Sequence, residues 1–174
     1  AVVAIGASLV ILTGGIDLSA GSVIGFVGIF AALFIKNGVP IAVAFLIGLA
    51  AGALIGLVNG VIISCGKVPA FIATLGTMNI ARGLAYLTNG GKSITGLPVP
   101  LANIMGTKLF GSMPISILYV IVLYALIFFV MTYTRFGRRV YALGGNVKAA
   151  KLSGVKVKQL EVGVYVLAGV FSAI

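Results

Sequence analysis

Pro40-Ile-Ala-Val-Ala-Phe-Leu-Ile-Gly-Leu-Ala-Ala-Gly-Ala-Leu-Ile-Gly-Leu-Val-Asn-Gly-Val-Ile-Ile-Ser64 contains no charged residue. As a helix it is long enough to cross a bilayer with some tilt. Gly48, Gly52, Gly56 and Gly60 recur along it at four-residue intervals, which puts them on one face. A face without side chains lets another helix approach backbone to backbone. The stripe is either a fixed packing surface or one on which two helices slide or rock. Gly21 and Gly25 repeat the spacing once. Asn59 lies beside the stripe, and a buried amide needs a partner. An interhelical hydrogen bond and a substrate hydroxyl are the two candidates.

Composition extends this reading to the whole chain. Of 174 residues, 61% are hydrophobic and 8% charged, with a mean hydropathy of +1.27. So few charges cannot cover the surface of a soluble domain, and the expected fold is an all-α, polytopic transmembrane helix bundle. The net charge of +10 does not indicate nucleic acid, because the cations lie at the ends of apolar runs and not together on a solvated face. Cys65 is the lone cysteine, histidine is absent, and Asp17 and Glu161 are the only acids. That inventory assembles no zinc site and no carboxylate dyad. No metal, cofactor or catalytic residue is expected, and the chain is not expected to be an enzyme.

The other apolar runs follow in order. Ala1–Leu12 is too short to cross alone, and Thr13–Ser22 breaks it with glycines, a serine and Asp17. Val23–Ile35 resumes the run, so a broken helix is expected here. Pro69 opens a span to about Thr88, with proline at the favoured first helical position. Pro114 opens another to about Thr134, and Val162–Ile174 starts the next. The chain begins and ends inside apolar runs, so residues 1–174 read as part of a longer domain cut at both ends.

Polar groups at membrane depth are costly and are usually paired or cavity-facing. Either Asp17 or Ser19 caps the helix that follows, or Asp17 contacts substrate or an ion or forms an ion pair; Arg82 either snorkels outward or pairs with Asp17. Thr74, Thr77 and Asn79 add small polar groups to the Pro69 span. They either line a path for a hydroxyl-rich solute or bond between helices.

Seven of the twelve basic residues, Arg135, Arg138, Arg139, Lys148, Lys151, Lys156 and Lys158, fall in one loop. The excess marks that loop as cytoplasmic. Within it, Asn146 is placed as an N-cap, Val147–Leu152 as a short helix, and Gly154 as the left-handed residue that stops it. A short capped helix between spans is built to be gripped by a cytoplasmic partner.

Three segments together resemble one family. They are Gly14-Gly-Ile-Asp-Leu-Ser-Ala-Gly-Ser22, Pro69-Ala-Phe-Ile-Ala-Thr-Leu-Gly-Thr-Met78 with Ala81-Arg-Gly83, and Gly137-Arg-Arg139 through Ser153-Gly154. In this order they are similar to the permeases of bacterial importers for monosaccharides powered by an ATP-binding cassette. The resemblance implies a partial transmembrane permease domain over residues 1–174, about half of a family member. It implies a second permease subunit, as homo- or heterodimer, around a central pathway in the bacterial inner membrane. It also implies a cytoplasmic ATPase subunit and a periplasmic sugar-binding protein. The coupling segment maps to Asn146, Ala149, Ala150, Leu152, Ser153 and Gly154. The family commonly has proline and glutamate where this chain has Val147 and Lys148. That puts a cation in the first turn of the short helix, where its dipole disfavours one.

Two other functions compete: a secondary transporter coupled to protons or cations through Asp17, and a membrane scaffold held by its glycine faces. The short docking helix favours the importer, because a secondary transporter has no ATPase to grip.

Overall fold

A backbone amide in hydrocarbon has no water to bond and must be satisfied within its own segment, so the apolar runs become helices. The computed structural model describes residues 1–96, 108–109 and 113–174. It contains α1 (Val2–Leu12), α2 (Ala20–Lys36), α3 (Ile41–Ser64) and α4 (Ala70–Asn89). These are followed by α5 (Ile115–Tyr133), α6 (Arg135–Gly145), α7 (Val147–Leu152) and α8 (Val157–Ala173). Between α4 and α5, β1 (Lys108–Leu109) pairs antiparallel with β2 (Met113–Pro114). Most of the stretch between α4 and α5, residues 97–107 and 110–112, lies outside the described residues.

The bundle is all-α apart from that two-residue pair. α3 and α5 are each long and apolar enough to cross a membrane, and α1 and α2 are shorter apolar helices. Pro40, Pro69 and Pro114 each occupy the N-cap, with φ of −54°, −53° and −61°. The sequence expects Pro69 one position later, as the first helical residue. At either position its missing N–H removes a donor the helix could not have used.

The glycine stripe of α3 packs on α8 of the same chain. A Cβ built on Gly52 would lie 2.5 Å from the Gly169 carbonyl oxygen and 2.6 Å from Ala173 Cβ. One built on Gly60 would lie 2.8 Å from Val162 Cα. At Gly56 it would run into the Tyr165 carbonyl and lie 2.9 Å from Val166 Cα. Gly169 answers from α8, where a Cβ would run into the Gly52 carbonyl. Gly48 meets α2 instead, with Val27 Cγ1 at 3.1 Å. Gly21 and Gly25, which repeat the spacing, face open space with nothing within 4 Å. Spacing alone does not say whether a small face is covered.

These contacts also fix direction. Residues 52, 56 and 60 of α3 meet 169, 165–166 and 162 of α8, so the two helices are antiparallel. Gly6 of α1 lies against Ala168 and Phe171, and Gly15 against Tyr165, so α1 also runs antiparallel to α8. Gly48 meets Val27, and Asn59 meets Ser19, so α2 runs antiparallel to α3. The expected break at residues 13–19 is therefore a reversal of the chain. The main core sits beside it, where Leu9 and Val10 of α1, Val140 and Leu143 of α6, and Val164 and Tyr165 of α8 are almost fully buried.

A backbone contact cannot yield to a new side chain by a change of rotamer. Gly56→Ala in the full-length protein should cost at least the roughly 1–3 kcal/mol of ordinary overpacking. Gly25→Ala, on the open face, should be neutral or slightly stabilising, since alanine favours helix. Thermal unfolding of the purified variants checks this, and an unchanged midpoint for Gly56→Ala contradicts the packing.

Candidate functional site

The chain reversal gathers four polar side chains from three elements. Asp17 Oδ1 accepts from the Ser19 backbone N–H at 2.8 Å and from the Ser19 hydroxyl at 2.6 Å. The Ser19 hydroxyl hydrogen is directed at Asp17, so its oxygen is an acceptor for Asn59 Nδ2 of α3 at 3.0 Å. That fixes the amide, because its nitrogen faces Ser19 and its carbonyl faces α4. There Asn59 Oδ1 accepts from the Thr77 hydroxyl. The Thr77 hydroxyl also has the Ala73 carbonyl of its own helix within reach, at 2.7 Å.

Every donor in this series points toward the carboxylate. A charged acceptor at one end strengthens the bond next to it and polarises those beyond. Ser19 and Asn59 are both 1% exposed. Two further hydroxyls are buried nearby with no hydrogen-bond partner among the described residues. One is Ser22, a turn beyond Ser19, and the other is Tyr165, whose oxygen lies 2.6 Å from the place a Cβ on Gly15 would take.

The sequence candidates divide here. Asp17, Asn59 and Thr77 are joined through Ser19, which the sequence reading considers only as a possible cap. Ser19 does stand at the N-cap of α2, but its side chain makes no cap bond. Thr74 is fully buried beside them, donating to the Ala70 carbonyl at 2.8 Å and approaching the Ile16 carbonyl at 3.4 Å. Asn79 and Arg82 stand apart on the exposed side of α4, where Asn79 Nδ2 donates to the Leu75 carbonyl at 2.9 Å. Asp17 is held by Ser19, and no Asp17–Arg82 ion pair is present among the described residues.

The basic island folds as two helices outside the long spans. Thr134 caps α6 by accepting from the N–H groups of Phe136 and Gly137 at 3.2 and 3.5 Å. Phe136, Val140 and Leu143 recur at helical spacing and pack toward the core. That cap and that spacing are the signals by which sequence could have found α6. Asn146 Oδ1 then accepts from Ala149 N–H at 3.0 Å, α7 runs from Val147 to Leu152, and Gly154 takes φ +80°. Leu152 is 89% exposed and Val147 is 50% exposed. Asn146, Ala149, Ser153 and Gly154 are exposed around them. Ala150, grouped by the sequence with the partner-facing residues, is 3% exposed. It points inward, where α7 packs on α6 and α8.

The family described as branched-chain amino acid transport system / permease component matches residues 1–174. The chain is 40% identical over 173 residues to the ribose import permease protein of Bacillus subtilis (strain 168), covering 99% of this chain and 54% of that protein. It is 38% identical over 177 residues to the ribose import permease protein of Haemophilus influenzae, covering 100% of this chain and 55% of the relative. It is 37% identical over 171 residues to the autoinducer 2 import system permease protein of Escherichia coli O9:H4 (strain HS), covering 98% and 50% respectively. The chain thus spans about half the length of these relatives. No solved structure matches.

Asn59→Leu removes two interhelical bonds at once, while Ser19 keeps Asp17 and Thr77 keeps the Ala73 carbonyl. Interhelical hydrogen bonds in membranes average about 0.6 kcal/mol each, so the loss should be about 1 kcal/mol. A double-mutant cycle with Ser19→Ala should show clear coupling, and strict additivity would count against the chain of bonds. Asp17→Asn keeps an acceptor for Ser19 and should retain transport better than Asp17→Ala. Equal and complete loss in both would favour an ion-coupling carboxylate.

Proposed function

From the premise that this chain belongs to the branched-chain amino acid transport system / permease component family, we propose that it forms part of the membrane-spanning subunit of an ATP-driven sugar importer. The protein is a membrane permease component, and the reading goes further on three points. The solute is a small hydroxyl-rich molecule of the monosaccharide class, as the ribose import relatives suggest. The location is the bacterial cytoplasmic membrane. The partners are a second permease subunit, a cytoplasmic ATPase that hydrolyses ATP, and a sugar-binding protein that delivers solute from outside.

The observation that carries this reading is α7. It is short, capped by Asn146 and stopped by Gly154, in the most basic segment of the chain. Its leucine, Leu152, is 89% exposed. An exposed leucine between Lys151 and Ser153 contributes nothing to this chain's core but suits a groove on a partner, where apolar anchors carry much of the binding energy. In this reading Val147, Ala149, Leu152, Ser153 and Gly154 face the ATPase, and Asn146 fixes the helix that presents them. Ala150 supports α7 from within. α7 precedes α8 directly, so a push on α7 reaches the α3–α8 pair through the short link 153–156.

Leu152→Glu in the full-length protein should lose the ATPase on co-purification and lose ATP-dependent uptake while the permease stays folded. Ala150→Glu should lower thermal stability, because its target is the chain's own interior. If Leu152→Glu keeps both the ATPase and uptake, α7 is not the coupling element.

A further inference from the structure

A cleft of about 200 Å³ lies between α6 and the start of α8. Its mouth carries Arg139, Lys156 and Gln159, all exposed, and its floor is Phe136, Val155 and the buried Leu160. Lys156, Gln159, Leu160 and Gly163 are spaced so that they share one face of α8. Polarity along that face is graded, from a cation at the loop end to a glycine within the apolar run. A Cβ on Gly163 would meet nothing within 4 Å.

The cations at the mouth are poorly compensated. Lys156 stands at the N-cap of α8 and makes no side-chain cap bond; Val157 N–H donates to the Val155 carbonyl at 2.9 Å, while the N–H groups of Lys158 and Gln159 have no side-chain cap. The helix dipole adds positive potential at the same end. Asp17 is bound to Ser19, and Glu161 follows Leu160 and so turns about 100° away from it around the helix. Among the described residues neither Arg139 nor Lys156 is ion-paired.

We propose that this cleft binds an anionic phospholipid, with the phosphate at Arg139 and Lys156 and an acyl chain running along α8 past Gly163. The cavity is too small for a second helix, which is about 10 Å across, but admits a phosphoglycerol group. A partner's carboxylate would satisfy the cations and leave the Leu160–Gly163 half unfilled. A lipid fills both halves, because its charge and its chain are ordered along the membrane normal as the cleft is. Basic pockets at the cytoplasmic ends of spans favour anionic headgroups for the same electrostatic reason. The inference rests on the cytoplasmic orientation proposed above and not on the solute carried.

The test is lipid binding to the full-length protein in detergent, by native mass spectrometry with phosphatidylglycerol or phosphatidylcholine. Phosphatidylglycerol should be retained preferentially. Each cation near an anionic lipid is worth about 5-fold, so Arg139→Gln with Lys156→Gln should weaken that binding about 25-fold. Gly163→Leu should weaken both lipids by filling the acyl path, and Lys92→Gln should change nothing. Arg139 and Lys156 are exposed, so the double variant keeps the test sound if Gly163→Leu fails to fold. Equal retention of the two lipids, full binding by the double variant, or displacement by millimolar inorganic phosphate would each overturn the proposal. ATPase co-purification is read separately. Loss of the lipid on adding the ATPase would also overturn it, by giving the cleft to the partner.

Discussion

The structure depends on the place where α3 and α8 meet without side chains between them. Gly52, Gly56, Gly60 and Gly169 bring two backbones into contact over about two turns. In a bilayer there is no hydrophobic force between helices, since lipid is as apolar as leucine, and close van der Waals packing takes its place. The pair then serves as a platform. α1 packs on one side of α8, with Gly6 against Ala168 and Phe171. α2 packs against α3 where Gly48 meets Val27. The contact is stiff because it is backbone on backbone, and a stiff pair carries displacement from one end to the other.

The polar chain from Thr77 to Asp17 fixes what the glycines leave free. Glycine contacts set separation and direction but discriminate weakly between rotations of one helix over another. Asn59 sits beside the stripe and reaches both the reversal and α4, so it ties α2, α3 and α4 to one rotational setting. The members of the series are all neutral except Asp17, which accepts from Ser19 at the partly exposed end. That arrangement leaves the carboxylate at the edge while the buried members share its pull. The carboxylate therefore has a structural task in this setting, and it is one that an ion-coupled mechanism does not require.

The sequence made legible whatever is local. The Gly48–Gly60 interval is a property of one helix, so its face could be named before its partner. Asn146 and Gly154 bracket α7 through contacts within a few residues, and the structure places the cap and the left-handed stop where the sequence expects them. Apolar length was enough for α3 and α5. Contacts between distant segments were not legible. The spacing of Val162, Val166, Gly169 and Ala173 on α8 marks a small-residue face only once α3 is laid on it. Ser19 looks like an ordinary cap until Asn59 arrives from forty positions away. Gly21 and Gly25 carry the same spacing as the covered stripe and remain open. Burial of Ala150, beside exposed Ala149, depends on how α6 and α8 flank α7.

The α3–α8 contact and the exposed α7 belong to one account: a helix pair set by glycine carries, at its basic end, the short helix proposed above to meet a partner. Its central claim is that α8 lies antiparallel on α3 with its start beside the end of α3. Cys65, exposed at the end of α3, provides one label in a full-length protein from which any cysteine outside residues 1–174 has been substituted. The second label goes at Lys158→Cys or at Ile174→Cys, at opposite ends of α8. Electron paramagnetic resonance distances should be short to 158 and longer by roughly 20 Å to 174, given a rise of about 1.5 Å per residue. Equal distances, or a shorter one to 174, would contradict the account.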